Sequence, residues 1–306
     1  MFDLARMPEL VRSKAEALGE SGLTWLATLE DQVRWFENNW DVKVGEVLSG
    51  GSEALVLSAF RDSREAVLKI GLPAEDGLRH EARLLAMANG CGYAELFAFD
   101  ESRNAMLVER LGRPMGEGTL AVQAQIDLLC ETAIESWITA SAGTGFVTGA
   151  GKAQWLREFI LAATHKNPDA ISFAVKDQAL VFTHSREQAW SPDTSKLIHG
   201  DVHAFNALSD PKRNGRFRFV DPDGYFMEPA YDLGLIMRDY HEELRVAPLR
   251  LGRERAEHLA KQSGLEVQPI WEWGFVERVT TGLYLLDLGA LDEGRAFLEV
   301  AEQWIG

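Results

Sequence analysis

A chain of 306 residues and 34.1 kDa exceeds a single small module and accommodates one large domain or two lobes sharing a cleft. Its 46% hydrophobic, 25% charged and 9% aromatic residues lie in the globular range, which excludes wholesale disorder and collagen-like repetition. With 31 Lys and Arg against 47 Asp and Glu, a net charge of −16 argues against nucleic acid and an anionic membrane as partners and favours a small cationic ligand.

At the N-terminus, Asp3, Arg6, Glu9, Arg12, Lys14 and Glu16 interrupt any signal-peptide core, and no uncharged run approaches the roughly 20 residues of a membrane helix. Cys91 and Cys130 supply neither a disulfide framework nor metal spacing, so a soluble cytoplasmic protein is expected. Leu26, Leu29, Val33, Phe36 and Trp40 fall at steps of three and four, the stripe of a helix packed on a core. Short β-rich stretches follow at 42–48, 54–60 and 66–70, with Gly50-Gly51 and Arg61-Asp62-Ser63 as turns, and predict an antiparallel meander. A charged helix at 75–89 and strands at 95–99 and 105–111 complete a small β-rich lobe. Beyond it, helices are expected at 120–140, 153–165, 170–188, 230–244, 253–263, 271–288 and 293–304, with a β and loop region at 197–227. The expected class is α+β: a small antiparallel-sheet lobe with N-terminal helices over 1–110 and a larger, mainly helical lobe over 111–306, joined by a hinge near 109–114.

Chemistry concentrates in Leu197-Ile198-His199-Gly200-Asp201-Val202-His203-Ala204-Phe205-Asn206 and in Phe219-Val220-Asp221-Pro222-Asp223-Gly224. Two apolar, strand-like pieces each end in acidic and polar residues, so short loops deliver carboxylates and an amide to one place. Phosphoryl transfer needs one carboxylate to orient an attacking hydroxyl and take its proton, and a second carboxylate with an amide oxygen to hold metal ions. Asp201 suits the first role, Asn206 and Asp221 the second. His, Gly, Asp and Asn at these offsets arise by chance in on the order of one in a thousand chains of this size. The plainer alternative is a polar loop with capping aspartates. His199 and His203, four apart without a third ligand, make a poor zinc site, and His199 is expected to hold the loop by hydrogen bonding.

These segments resemble the aminoglycoside phosphotransferases, in the streptomycin 6-kinase and hydroxyurea-resistance branch, whose His-Gly-Asp-x-x-x-x-Asn and Asp-Pro-x-Gly motifs they match. The resemblance implies a bilobal protein-kinase-like fold with the nucleotide between the lobes, ATP as phosphoryl donor (GTP an alternative), and Mg. It also implies that Asp232, in Glu228-Pro229-Ala230-Tyr231-Asp232-Leu233, braces the catalytic loop. Upstream, Gly50, Gly51 and Ser52 match the phosphate-covering turn, although taken alone they read first as a simple hairpin turn. Lys69 matches the phosphate-contacting lysine and Glu81 its acidic partner; alone, each reads as a solvated charge. Glu109 and Leu111 fall where the family's linker offers backbone groups to the base.

Between 221 and 243 stand seven acids, Asp221, Asp223, Glu228, Asp232, Asp239, Glu242 and Glu243, against Arg238 as the one Lys or Arg. Part of that density is expected to line an acceptor pocket, with Asp223 and Glu228 as candidates for a cationic substrate such as streptomycin. The competing expectations are a metabolic kinase of another small alcohol or sugar, and a nucleotide-binding scaffold without catalysis.

Overall fold

Residues 3, 6–51, 53–62, 64–73, 77–141 and 143–305 are described by the computed structural model. The chain divides into two compact units, Met1–Gly112 and Arg113–Gly306. In the first, the amphipathic N-terminal stretch forms two helices, α1 (Glu9–Ala17) and α2 (Glu20–Asn39). Along α2 the buried stripe runs through Trp25, Leu29, Val33 and Phe36, so Trp25 takes the inward position expected of Leu26, while Leu26 and Trp40 pack half-buried at its margin. The stripe covers a five-stranded antiparallel sheet of β1 (Lys43–Val47), β2 (Ala54–Arg61), β3 (Arg64–Gly71), β4 (Leu96–Asp100) and β5 (Ala105–Glu109), in the order β1-β2-β3-β5-β4. On β3, Ala66, Leu68 and Ile70 are fully buried in the cluster built with α1 and α2. The period of two therefore turns Lys69 to the opposite face. The inserted helix α3 (Arg79–Ala88) is shorter than expected, residues 74–76 lying outside the described ones. Leu111 lies beyond the end of β5 rather than within it.

The second unit is mainly helical. It comprises α4 (Val122–Ser136), α5 (Gly149–Lys166), α6 (Phe173–Ala189), α7 (Ala230–Arg238), α8 (His241–Leu244), α9 (Pro248–Ser263), α10 (Val267–Asp287) and α11 (Leu291–Trp304). Thr148 and Ser172 cap α5 and α6, their hydroxyls accepting the N–H of Gly151 and Val175 at 3.2 Å. Short strands β6 (Val147–Thr148), β7 (Lys196–Ile198) and β10 (Tyr225–Met227) form a sheet in the order β6-β10-β7, and β8 (Ala207–Ser209) pairs with β9 (Phe217–Phe219). The single helix expected over 230–244 is broken: Tyr240 adopts a left-handed φ of 59°, separating α7 from α8. Helix α10 is the central post, burying Trp273, Phe275, Val276, Val279 and Leu283. It meets α7 at two glycines, where a Cβ on Gly234 would stand 2.6 Å from Trp273 Cβ and one on Gly274 2.5 Å from Met237 Cβ. Among the described residues, no helix is long and apolar enough to cross a membrane.

Candidate active site

The site is built where β7 ends. Leu197 and Ile198 are fully buried, and so is the next residue, His199. Its Nε2–H donates to the Val220 carbonyl at 2.9 Å, its Nδ1 accepts the Asp201 N–H at 3.0 Å, and the ring lies edge-on to Phe219 with centroids 4.6 Å apart. Burial pushes its pKa down to about 4, so the neutral ring locks the loop after β7 to the end of β9. His203 is similarly engaged: Nδ1 accepts the Phe205 N–H at 3.2 Å and Nε2 lies 3.3 Å from Asp201 Oδ2. The His ring nitrogens are thus committed to the protein, and no group of three or more metal-holding His, Cys, Asp or Glu occurs among the described residues.

Asp232, fully buried in the first turn of α7, holds the same loop from below. Its Oδ1 accepts the Gly200 N–H at 2.8 Å, and its Oδ2 accepts His199 N–H at 3.1 Å and Trp137 Nε1–H at 3.0 Å. Burial raises its pKa to about 6 against the opposing pull of these three donors. Gly200 between them has φ +89°, and a Cβ there would sit 2.7 Å from the Tyr225 ring and 3.1 Å from Asp223 Cβ. Both the backbone angle and the space require glycine.

Asp201 emerges half-buried from this support. The Asn206 side-chain N–H donates to its carbonyl at 3.0 Å and to Oδ2 at 3.2 Å, while Arg238 Nη2 stands 3.7 Å from Oδ1. Burial works against its ionisation, but the hydrogen bond from His203 and the Arg238 guanidinium hold its pKa well below the usual carboxylate range. Asn206 in turn accepts the Val220 N–H on its carbonyl at 3.0 Å. With Ala207 paired to Phe219 across β8 and β9, this bond brings Asp221 to the loop of Asp201 and Asn206. Asp221 carries a left-handed φ of 55°. Asp223 reaches solvent and accepts the Tyr225 O–H at 2.8 Å, and Tyr225 accepts from Lys152 Nζ at 3.2 Å. Surrounding protein, then the Asp201 charge, raise the Asp223 carboxyl above its ordinary value.

The acidic stretch from 221 to 243 is largely neutralised internally. Glu228 is bound by Trp273 Nε1–H at 2.9 Å and by Arg186 at 3.3 Å, so its carboxylate serves the packing of α6 and α10, contrary to the expectation that it faces substrate. Asp239 pairs with Arg238 at 3.1 Å, Glu243 with Arg255 at 2.6 Å, and Glu242 lies on the surface beside Arg245. Asp232 is enclosed, which leaves Asp221 and Asp223 as the acids beside Asp201.

In the first unit, Lys69 Nζ donates to both Glu81 carboxylate oxygens, at 2.7 and 2.8 Å, in a largely buried pair that joins β3 to α3. Gly50 and Gly51 link β1 to β2 with φ of 110° and 80°, and Leu48 N–H to Val56 carbonyl at 2.9 Å closes the hairpin. Ser52 lies outside the described residues. Glu109 is buried, its N–H donating to the Glu95 carbonyl at 2.8 Å, and Leu111 is buried after it. Sequence reasoning missed Arg238, Lys152 and Tyr225 and weighed His203 only as a metal ligand. The available signal was Arg238 standing as the one Lys or Arg in an acidic stretch.

A five-stranded antiparallel sheet carrying a lysine–glutamate pair, with a helical unit presenting Asp201, Asn206 and Asp221, defines an α+β fold of the protein-kinase-like class. Among solved structures, the choline kinase LicA from Streptococcus pneumoniae superposes with a TM-score of 0.58 at 11% identity, over 90% of this chain and 98% of that one. An aminoglycoside phosphotransferase from Streptomyces rimosus in complex with ADP and streptomycin gives 0.53 at 14% identity, over 83% and 98%. The chain belongs to the aminoglycoside/hydroxyurea antibiotic resistance kinase family, which matches residues 39–289. Streptomycin 6-kinase of Streptomyces glaucescens is 25% identical over 309 residues, spanning 97% of each protein. The protein is therefore a phosphotransferase with an alcohol group as acceptor.

Proposed function

We propose that the protein transfers the γ-phosphoryl group of ATP, bound with magnesium, to a hydroxyl of a small cationic acceptor, an aminoglycoside such as streptomycin. The observation that carries this reading is the Asp201 carboxylate, whose Oδ2 is fixed by Asn206 and His203 while Oδ1 accepts no hydrogen bond among the described residues. Oδ1 orients the acceptor hydroxyl and takes its proton as the oxygen–phosphorus bond forms and the bond to the β-phosphate oxygen breaks, releasing ADP. A carboxylate held this acidic is a weak base, which suits a loose transition state in which the proton leaves late.

Nucleotide binding falls to Lys69, steadied by Glu81, with the backbone of Gly50 and Gly51 on the phosphates and that of Glu109 and Leu111 on the base. The Asn206 amide oxygen and the Asp221 carboxylate are hard oxygen donors on adjoining loops, a set that would hold Mg²⁺. Held by these two residues, the ion would supply positive charge to neutralise the phosphate. His199 and Asp232 keep the loop in shape.

The test is phosphoryl transfer from γ-labelled ATP with Mg²⁺ across a panel of aminoglycosides and small alcohols. Labelled streptomycin from the parent protein is expected, with turnover abolished in Asp201→Ala while nucleotide binding persists. Failure to label any acceptor in the panel would end the reading. A second reading keeps the chemistry and changes the acceptor to a small amino alcohol or sugar. It is favoured by the internal pairing of Glu228, Asp239 and Glu243, which leaves a less acidic surface than the sequence alone implies.

A further inference from the structure

Three arginines converge on the C-terminal end of α7. Arg278, fully buried, directs Nη2 at the carbonyls of Met237 (3.0 Å), Arg238 (2.5 Å) and Asp239 (3.3 Å), and Arg255 Nη1 donates to the Asp239 carbonyl at 3.0 Å. Cations suit the carbonyl end of a helix. This arrangement nevertheless exceeds the needs of a cap. Nε and Nη1 of Arg278 are buried without a hydrogen-bond partner among the described residues, the guanidinium lying against the Trp304 and Phe297 rings at 4.9 and 5.4 Å. An apolar side chain would fill such a place at lower cost. What the cluster fixes is the backbone of residues 237–239, and hence the root of Arg238, whose Nε binds Asp239 Oδ1 at 3.1 Å and whose Nη2 faces Asp201 Oδ1 at 3.7 Å.

We infer that Arg238 is a positioning residue for the base, and that Arg278 and Arg255 aim it. The inference rests on the reading of Asp201 as base. At 3.7 Å the guanidinium is too far to donate a hydrogen bond to Oδ1, yet near enough to fix the direction of the carboxylate. Oδ2 is meanwhile held by Asn206 and His203, so the two sides together set the rotation of the group. The same helix binds the loop twice: its first turn holds the His199 and Gly200 N–H groups through Asp232, and its last turn holds Asp201 through Arg238.

The experiment compares Arg238→Met, Arg238→Lys and Arg278→Met with the parent full-length chain, measuring kcat and the KM of ATP and acceptor. Misplacement of a reacting group by about 1 Å costs on the order of 10²-fold, so Arg238→Met should lower kcat by that order and leave the KM of ATP within about twofold. Arg238→Lys should recover a large part of the loss, and Arg278→Met should lower kcat in the same sense without touching the site. A merely structural role predicts lower thermal stability with unchanged kcat in folded protein, and that result overturns the inference while leaving Asp201 as base. If Arg238→Met fails to fold, Arg238→Lys and Arg278→Met decide, equal kcat to the parent in both being fatal. If the parent phosphorylates no acceptor, the functional reading has failed instead. Crystal structures then judge the positioning: a turned Asp201 carboxylate in Arg238→Met or Arg278→Met supports it, and an unmoved one refutes it.

Discussion

Asp232 is a buried carboxylate that the fold keeps at a pKa of about 6 instead of 3.8, and this makes its replacement by asparagine measurable as a change of slope with pH. On acidification the folded protein takes up this proton first, near pH 6, and the unfolded chain only near 3.8. The group's contribution is therefore fully present below about pH 4 and is lost as pH rises through 6. Between pH 7.0 and 4.5 these values give about 2 kcal/mol, out of a full span of about 3 kcal/mol. The parent alone will not display it, because His199, lowered to about 4, loses its own contribution as pH falls from 6.5 over the same interval. Subtracting Asp232→Asn, which keeps His199, isolates the aspartate. Urea unfolding followed by tryptophan fluorescence at the two pH values should show the stability difference, parent minus Asp232→Asn, moving about 2 kcal/mol toward the parent at pH 4.5. A difference that is constant, or that moves the other way, refutes the claim that burial outweighs the three N–H donors at this carboxylate.

Gly200→Ala forces a side chain into φ +89° and against the Tyr225 ring at 2.7 Å; a loss of at least about 1–3 kcal/mol by urea unfolding, with turnover falling further, is expected, and a neutral variant contradicts the stated geometry. Glu81→Ala removes the acid from the buried pair with Lys69 and should cost about 3–5 kcal/mol, with Glu81→Gln intermediate; unchanged unfolding midpoints would show the pair to be idle. Asp221→Asn should raise the Mg²⁺ concentration for half-maximal rate by more than the roughly tenfold that loss of a supporting hydrogen bond costs a metal site. An unaltered Mg²⁺ titration would remove Asp221 from the metal.

Features set by residues close in sequence were legible. The three strands from 42 to 70, the inserted helix and the two acid-bearing loops follow from alternation, helical steps and glycine placement, each a property of a few neighbouring residues. Glu228 was misjudged because its partners, Arg186 on α6 and Trp273 on α10, stand 42 and 45 positions away, and only the tertiary fold brings them to the turn before α7. Composition counts both charges without pairing them. Arg238 escaped for the same reason: the break at Tyr240 that ends α7 needs a left-handed residue with no glycine or asparagine to announce it. Trp25 displaced Leu26 from the inner stripe because the helical register is set by the whole of α2 against the sheet, whereas the sequence pattern began at an arbitrary leucine.

The glycine-to-glycine crossing of α7 and α10 limits the freedom of the helix that carries Asp232 and Arg238. With no side chain between the two helices at Gly234 and Gly274, α7 has a single seat, and a mutation that shifts it must unseat Trp273 and Met237 as well. Asp232 and Arg238, both carried by that helix, therefore move only together with it. Lys152 on α5 and Asp223 and Tyr225 around β10 form one hydrogen-bonded chain whose Tyr225 ring rests on Tyr231 of the same α7, so that a shift of the helix would reach them as well.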